Sequence, residues 1–270
     1  MPKESKMAKQ LLVYESVVPV NSVSHGKMSF DPSNDYTFSS AINAVPLMTV
    51  EFASAATEYA IVFAESNDDV MPVAILGLRN EQNLFLSADA QWRAKYLPAF
   101  IRRYPFVFSS STDQQTLTLC IDETHPGLNS EGRGQRLFDD EGKPTDYVQQ
   151  VMNFLRDYQM QFERTRAFGK RLKELNLLEP MQAEVATPAG QKLALGSFFG
   201  ISRNRIRTLS SESLSALLKA DELELIYLHL YSLRNFNELK ERFIETLPAE
   251  LKQLATGAAA TTSATTTTTA

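Results

Sequence analysis

The chain is 270 residues long, 43% hydrophobic and 22% charged, a balance typical of folded globular domains and unlike that of disordered or collagen-like chains. Its length suggests between one and two domains, enough to bury a sizeable core without disulfides or a structural metal. Charge sums to −5 from 27 basic and 32 acidic side chains, which argues against a protein whose main task is to coat nucleic-acid phosphates. No window approaches the ~18 consecutive apolar residues of a membrane-spanning helix.

Residues 1–10 carry three lysines and one glutamate. The apolar stretch that follows is interrupted by Glu15 and Pro19 and is too short for a secretory h-region, so Sec export is not expected and the chain reads as cytoplasmic. Residues 1–43 mix short apolar pieces with turn formers and should be irregular. A single domain is expected over residues 44–245, with a sub-boundary near 122–146. Residues 47–56 read as a short helix leading into a buried strand at 59–64, after which Asn67 and Asp68 mark a turn. Strands are expected at 72–78 and 83–86, joined at hairpin spacing by the polar residues 79–82. A helix is read over 91–103. Strands at 105–108 and 116–121 then flank a polar loop at 109–115. Connections this short favour antiparallel neighbours.

Residues 122–146 hold seven acids against three bases and read as a long surface loop, with Pro144 suited to the first turn of the next element. Val148, Val151, Met152, Leu155, Phe162, Leu172 and Leu175 recur at helical spacing up to about Asn176, with Gly169 a plausible bend and Pro180 beyond the stop. The strands of the first half should pack on this stripe. Residues 182–187 and 192–199, around Pro188, Ala189 and Gly190, read as a hairpin. A helix from about Ser210 follows, then another in which Asp221 and Glu224 stand at capping-box spacing. The expected fold is α+β: a mostly antiparallel sheet in the N-terminal half against a long helix, with a C-terminal hairpin and helical pair. Residues 256–270, almost all Thr, Ala, Gly and Ser, should be disordered.

The densest set of candidate functional residues is Trp92, Arg93, Tyr96, Arg102, Arg103 and Tyr104. Guanidinium forks beside aromatic faces can clamp a carboxylate, a phosphate or a stacked ring. The same residues also suit a helix that buries Trp92, Tyr96 and Phe100 and leaves its arginines in water. Asp122, Glu123 and His125 follow a predicted strand end and form a fragment of an acid–base or metal set, equally readable as a solvated cluster. His25 and His229 add no metal-ligand spacing, and His229 on its leucine-rich helix reads as a packed residue. The lone Cys120 lies in an apolar run beside Asp122 and Glu123, charges that oppose a thiolate, and reads as an inert buried thiol. Residues 156–173 carry a net charge of +4 and suit a wet helix face, or one that meets an acidic partner, a phosphate backbone or the acidic 122–146 loop. No nucleotide, hydrolase, zinc or redox fingerprint is present, and no cofactor is implied.

The segments VEFASAATEYAIVF, PVAILGLRNEQNLFL, WRAKYLPAFIRRYPFVF, LTLCIDE, LFDDEGKPT and LELIYLHLYSL, in that order between about Ala44 and Leu239, resemble the bacterial SapC family. The resemblance implies a link to paracrystalline surface layers and to proteins described as peptide or surface-layer transport components, and it carries no catalytic residues onto this chain. Two functions are therefore carried forward, beside a third and weaker one in which the basic helix binds nucleic acid with steep salt dependence. One is a non-enzymatic accessory that binds a protein partner of the cell envelope or surface layer. The other is an enzyme or enzyme accessory for a small anionic or aromatic substrate, with Arg102 or Arg103 as anion clamp and Asp122, Glu123 and His125 at the reactive end.

Overall fold

A computed structural model describes residues 13–32, 34–66, 69–110, 117–186 and 192–249. The expectations for residues 1–10, Asn67 and Asp68, 111–115, Pro188 to Gly190 and 256–270 lie outside them. The first elements are β1 (Val17–Pro19), α1 (Ser22–His25), β2 (Ser29–Phe30), β3 (Ala44–Pro46), α2 (Phe52–Ala55), β4 (Ala60–Ser66), β5 (Asp69–Ile75), α3 (Ala99–Arg102), β6 (Phe106–Ser110) and β7 (Leu117–Asp122). Then come β8 (Leu128–Asn129), β9 (Gln135–Arg136), α4 (Asp146–Glu174), β10 (Leu178–Ala186), β11 (Lys192–Ile201), α5 (Arg203–Arg207), α6 (Ser211–Lys219), α7 (Glu222–Ser232) and α8 (Asn235–Glu245). The molecule is α+β, as expected, and its strand pairings are antiparallel.

The chain divides into two compact units. The first comprises Met1–Ser40, Leu86–Arg93 and Leu97–Arg164. Its sheets run β1-β7-β6 and β8-β2-β9. Val107 to Phe108 and Leu119 to Ile121 supply the β-branched and aromatic residues that favour strands, and β6 and β7 pair from Phe106↔Ile121 to Ser110↔Leu117. Phe30, Phe106, Ile121, Leu137, Phe138, Val148 and Leu155 form one buried cluster, each worth about 1.5–3 kcal/mol of transfer free energy. The strands of this unit thus pack on the N-terminal part of the α4 stripe.

Residues 122–146 are more than a surface loop. They contribute β8 and β9 on either side of β2, and they bury Leu137 and Phe138. Asn129 organises the turn between β8 and β9: its Oδ1 accepts from Glu131 N and Arg133 N at 3.1 Å, while Nδ2 donates to Ser29 O and Gly127 O. The acidic composition described the rim and hid this interior. Pro144 lies two residues ahead of α4 and bridges Phe138.

The second unit comprises Ala41–Phe85, Ala94–Tyr96 and Thr165–Ala270, with a sheet in the order β10-β11-β4-β5-β3. Residues 83–86 form no strand: Leu86 makes only an isolated bridge with Trp92, and β5 pairs with β3 and β4 instead. The apolar run 83–86 is too short to compete with those two ladders. The helix expected over 91–103 shrinks to α3, which starts after Pro98, because that proline disfavours helical geometry at the residue before it.

Helix α4 continues through Gly169, whose role is close approach rather than bending: a Cβ there would stand 1.9 Å from Val70 O on β5. The helix closes where expected. Asn176 takes φ +51, and the bonds Leu177 N→Leu172 O and Asn176 N→Lys173 O, at 2.9 and 3.0 Å, are those of a Schellman cap. The hairpin β10–β11 follows. Ser210 Oγ caps α6 by accepting from Ser213 N. The capping box expected at Asp221 is absent: Asp221 sits at φ +58 and makes no side-chain cap bond. Helix α8 has no counterpart in the sequence reading.

His229 is the hub of this unit. Its Nδ1 donates to Ile61 O on β4 at 2.8 Å and its Nε2 accepts from Ile201 N at 3.0 Å, so one fully buried ring joins α7 to two strands. Burial lowers its pKa to about 4 and holds it neutral. Among the described residues no helix is long and apolar enough to cross a membrane.

Candidate functional site

The first unit contains a cleft of about 410 Å3. Buried Phe30, Ile101 and Phe106 supply apolar lining, with Tyr36, Phe38, Tyr104, Tyr147 and Phe154 as further aromatic walls. The aromatic rings hold one another: Phe38 stacks on Tyr104 at 4.1 Å, and Phe30 stacks on Tyr147 at 6.2 Å. Four of the residues singled out by sequence line the cleft: Tyr104 among those walls, joined by Arg102, Arg103 and His125.

The two arginines are not equivalent. Arg103 is buried, with its guanidinium over the rings of Phe100, Tyr158 and Tyr14 at 4.5, 4.8 and 5.8 Å, so it is chiefly a packed cation of the core. Arg102 is exposed and lies 5.1 Å above the Phe154 ring, where a guanidinium keeps its donors available to an incoming anion. Burial lowers the pKa of His125, although the Asp122 and Asp35 carboxylates pull the other way. Burial likewise pushes Tyr147 up to about 12. Burial and the Asp122 charge bring Tyr104 to about 12 as well. These phenols remain protonated donors throughout the neutral range. Asp35, exposed at the rim, is held below the usual carboxylate range by its hydrogen bonds with Thr37.

The remaining sequence candidates have other work. Asp122 is fully buried and accepts from Glu15 N, Ser16 N and both Thr124 N and Oγ1. Burial alone would raise its pKa, but these bonds outweigh it and hold the carboxyl below its usual range. Glu123 is exposed, with Oε1 3.4 Å from the buried His25 Nε2. Trp92 meets Tyr36 edge-on at 5.9 Å but does not line the cleft, and Arg93 is exposed. Tyr96 belongs to the second unit, where its hydroxyl donates to Glu51 at 2.7 Å. Its N–H donates to Glu58 at 2.9 Å, and its carbonyl accepts from Tyr59. Cys120 is buried, and burial raises its thiol pKa. Among the described residues no group of three or more His, Cys, Asp or Glu is placed to hold a metal ion.

Sequence reading missed Phe30, Tyr36 and Phe38, which lie in the stretch read as irregular. A signal existed there: aromatic rings in an aperiodic, turn-rich segment must be covered by something distant or left to meet a ligand. The SapC family model matches residues 20–239. The chain belongs to the SapC family. The match begins well before Ala44 and takes in β2, Tyr36 and Phe38, so the whole aromatic lining of the cleft falls within the SapC region. A search of curated proteins and one of solved structures find no match.

Proposed function

We propose that this SapC protein binds a small molecule with a planar aromatic body and an anionic group, and that it acts by binding rather than by catalysing a reaction. The observation that carries the proposal is that the Arg102 guanidinium and the His125 ring line the same aromatic cleft. Aromatic rings supply most of a ligand's burial, while a few placed donors fix its orientation. The carboxylate of the fragment that looked reactive is already committed, because Asp122 accepts five hydrogen bonds, from Glu15 N, Ser16 N, Thr124 N and Oγ1 and the Tyr104 hydroxyl. An accessory role beside a protein partner of the cell envelope or surface layer is the setting that the family name suggests. Pull-down from a bacterial lysate tests that setting, and recovery of no envelope or surface-layer component counts against it.

The ligand reading is tested by thermal shift and calorimetry with benzoate, naphthoate and indole acetate beside their neutral amides. Binding to the native state alone raises the melting temperature, by an amount that grows with concentration over Kd. The acids are expected to raise it and the amides to do so less. Arg102→Ala should weaken the acids about tenfold, the equivalent of one charge-assisted hydrogen bond, and leave the amides unchanged. Equal response to acids and amides sinks the anionic requirement.

A further inference from the structure

The polar chemistry of this cleft is asymmetric, and its asymmetry rests on one imidazole. His125 Nδ1 accepts a hydrogen bond from Gly127 N at 2.9 Å. An accepting ring nitrogen carries a lone pair, so in the neutral ring the proton sits on Nε2. The same Gly127 N–H opposes the imidazolium, which would set two donors against each other. Nε2 has no hydrogen-bond partner among the described residues and is not one of the atoms sealed from solvent.

The ring cannot turn over easily. Phe30 and Tyr104 stand against it with centroids at 5.0 and 5.3 Å, and the residue that latches it has no side chain. A Cβ on Gly127 would lie 2.9 Å from both Nδ1 and Cε1 of the ring and 2.3 Å from Asp31 O, so glycine is required for the N–H to come this close. The result is an oriented donor, on a buried ring but open to solvent, with no acceptor among the described residues.

We infer that His125 selects for a ligand oxygen that accepts its Nε2–H, such as a ketone, ester or ether oxygen, set apart from the anionic group that meets Arg102. This rests on the aromatic-acid reading above and narrows it to aromatic acids bearing an acceptor substituent. An amine on an aromatic ring, its lone pair delocalised into that ring, would place donor against donor, and an alkyl group would leave Nε2–H desolvated without a partner, which is the more costly half of a lost hydrogen bond.

The experiment uses the full chain and titrates para-acetylbenzoate, para-isopropylbenzoate and para-aminobenzoate by calorimetry at neutral pH. The acetyl compound should bind about tenfold more tightly than its isopropyl isostere, the equivalent of one desolvated hydrogen bond, and the amino compound should be no better than the isopropyl one. His125→Asn keeps an acceptor near the Nδ1 position and loses Nε2, so it should erase the acetyl preference. His125→Gln keeps a donor near the Nε2 position and should retain part of it. Nitrogen-resolved NMR of the unliganded wild-type imidazole reads the tautomer directly, and the proton should be on Nε2. A proton on Nδ1, or equal affinity for the acetyl and isopropyl compounds, overturns this inference and leaves the aromatic-acid reading standing. If none of the three binds, both fall together.

Discussion

At the scale of single residues, two of the three buried histidines, His125 and His229, show how the same side chain is assigned opposite duties by its second nitrogen. His229 has both nitrogens bonded within the protein, Nδ1 to Ile61 O and Nε2 to Ile201 N, and is purely architectural. His125 has Nδ1 bonded to Gly127 N and Nε2 without a hydrogen-bond partner among the described residues, on a ring that lines the cleft. For His229 the folded pKa of about 4 lies below the ordinary 6.5, so between those values the unfolded chain binds more protons than the folded one. Its contribution is therefore complete above pH 6.5 and is lost as pH falls towards 4, by about 3 kcal/mol in all. Urea unfolding of the wild type between pH 7 and 4 should show that decline, and His229→Phe should be less stable at pH 7 but flatter over the same window. Parallel slopes for the two proteins would show that the ring does not titrate as described. Asp122 has the usual carboxylate sign: its stabilisation holds above the ordinary carboxyl range and disappears only as pH drops through its lowered folded value.

At the scale of elements, α4 and its neighbours show which local signals survive folding. The apolar stripe of α4 was readable because its positions recur every three or four residues, and its end because that spacing stops near Asn176 with Pro180 beyond, where the structure closes the helix with Asn176 in the left-handed conformation of a Schellman cap. The helix expected over 91–103 obeyed the same periodicity at Trp92, Tyr96 and Phe100 yet survives only as the short α3, since Pro98 interrupts it and Trp92 and Tyr96 find partners in different units. Gly169 is a third case. Replacing a mid-helix glycine by alanine ordinarily stabilises by up to about 1 kcal/mol, but here the new methyl would overlap Val70 O, a backbone atom that cannot swing aside. Overpacking wins, and Gly169→Ala should cost about 2 kcal/mol net, read as a lower denaturation midpoint. A stabilised variant would mean that α4 and β5 are further apart than described.

At the scale of the whole molecule, the chain crosses repeatedly between two compact units, and the cleft belongs to the first alone. Its walls come from residues 30–38, 97–106 and 147–154 together with His125, four stretches separated by tens of residues in sequence. A ligand bound there should therefore slow amide hydrogen exchange in those segments while leaving the strands β4 and β5 of the second unit unchanged. Exchange measured by mass spectrometry with para-acetylbenzoate present checks this, and protection centred on residues 60–75 would move the site to the other unit.

The amino-acid sequence by itself determined the α+β class, the long helix, the C-terminal hairpin, the absence of a membrane-spanning helix among the described residues and the SapC membership. All follow from short-range periodicity, turn chemistry or the order of segments along the chain. Only the tertiary structure decided which arginine is packed and which is available, why Asp122 is occupied, and that Phe30, Tyr36 and Phe38 complete a cleft with His125. Those distinctions depend on what each side chain meets across long sequence separations, and burial and hydrogen-bond partners of that kind leave no periodic trace in the order of residues.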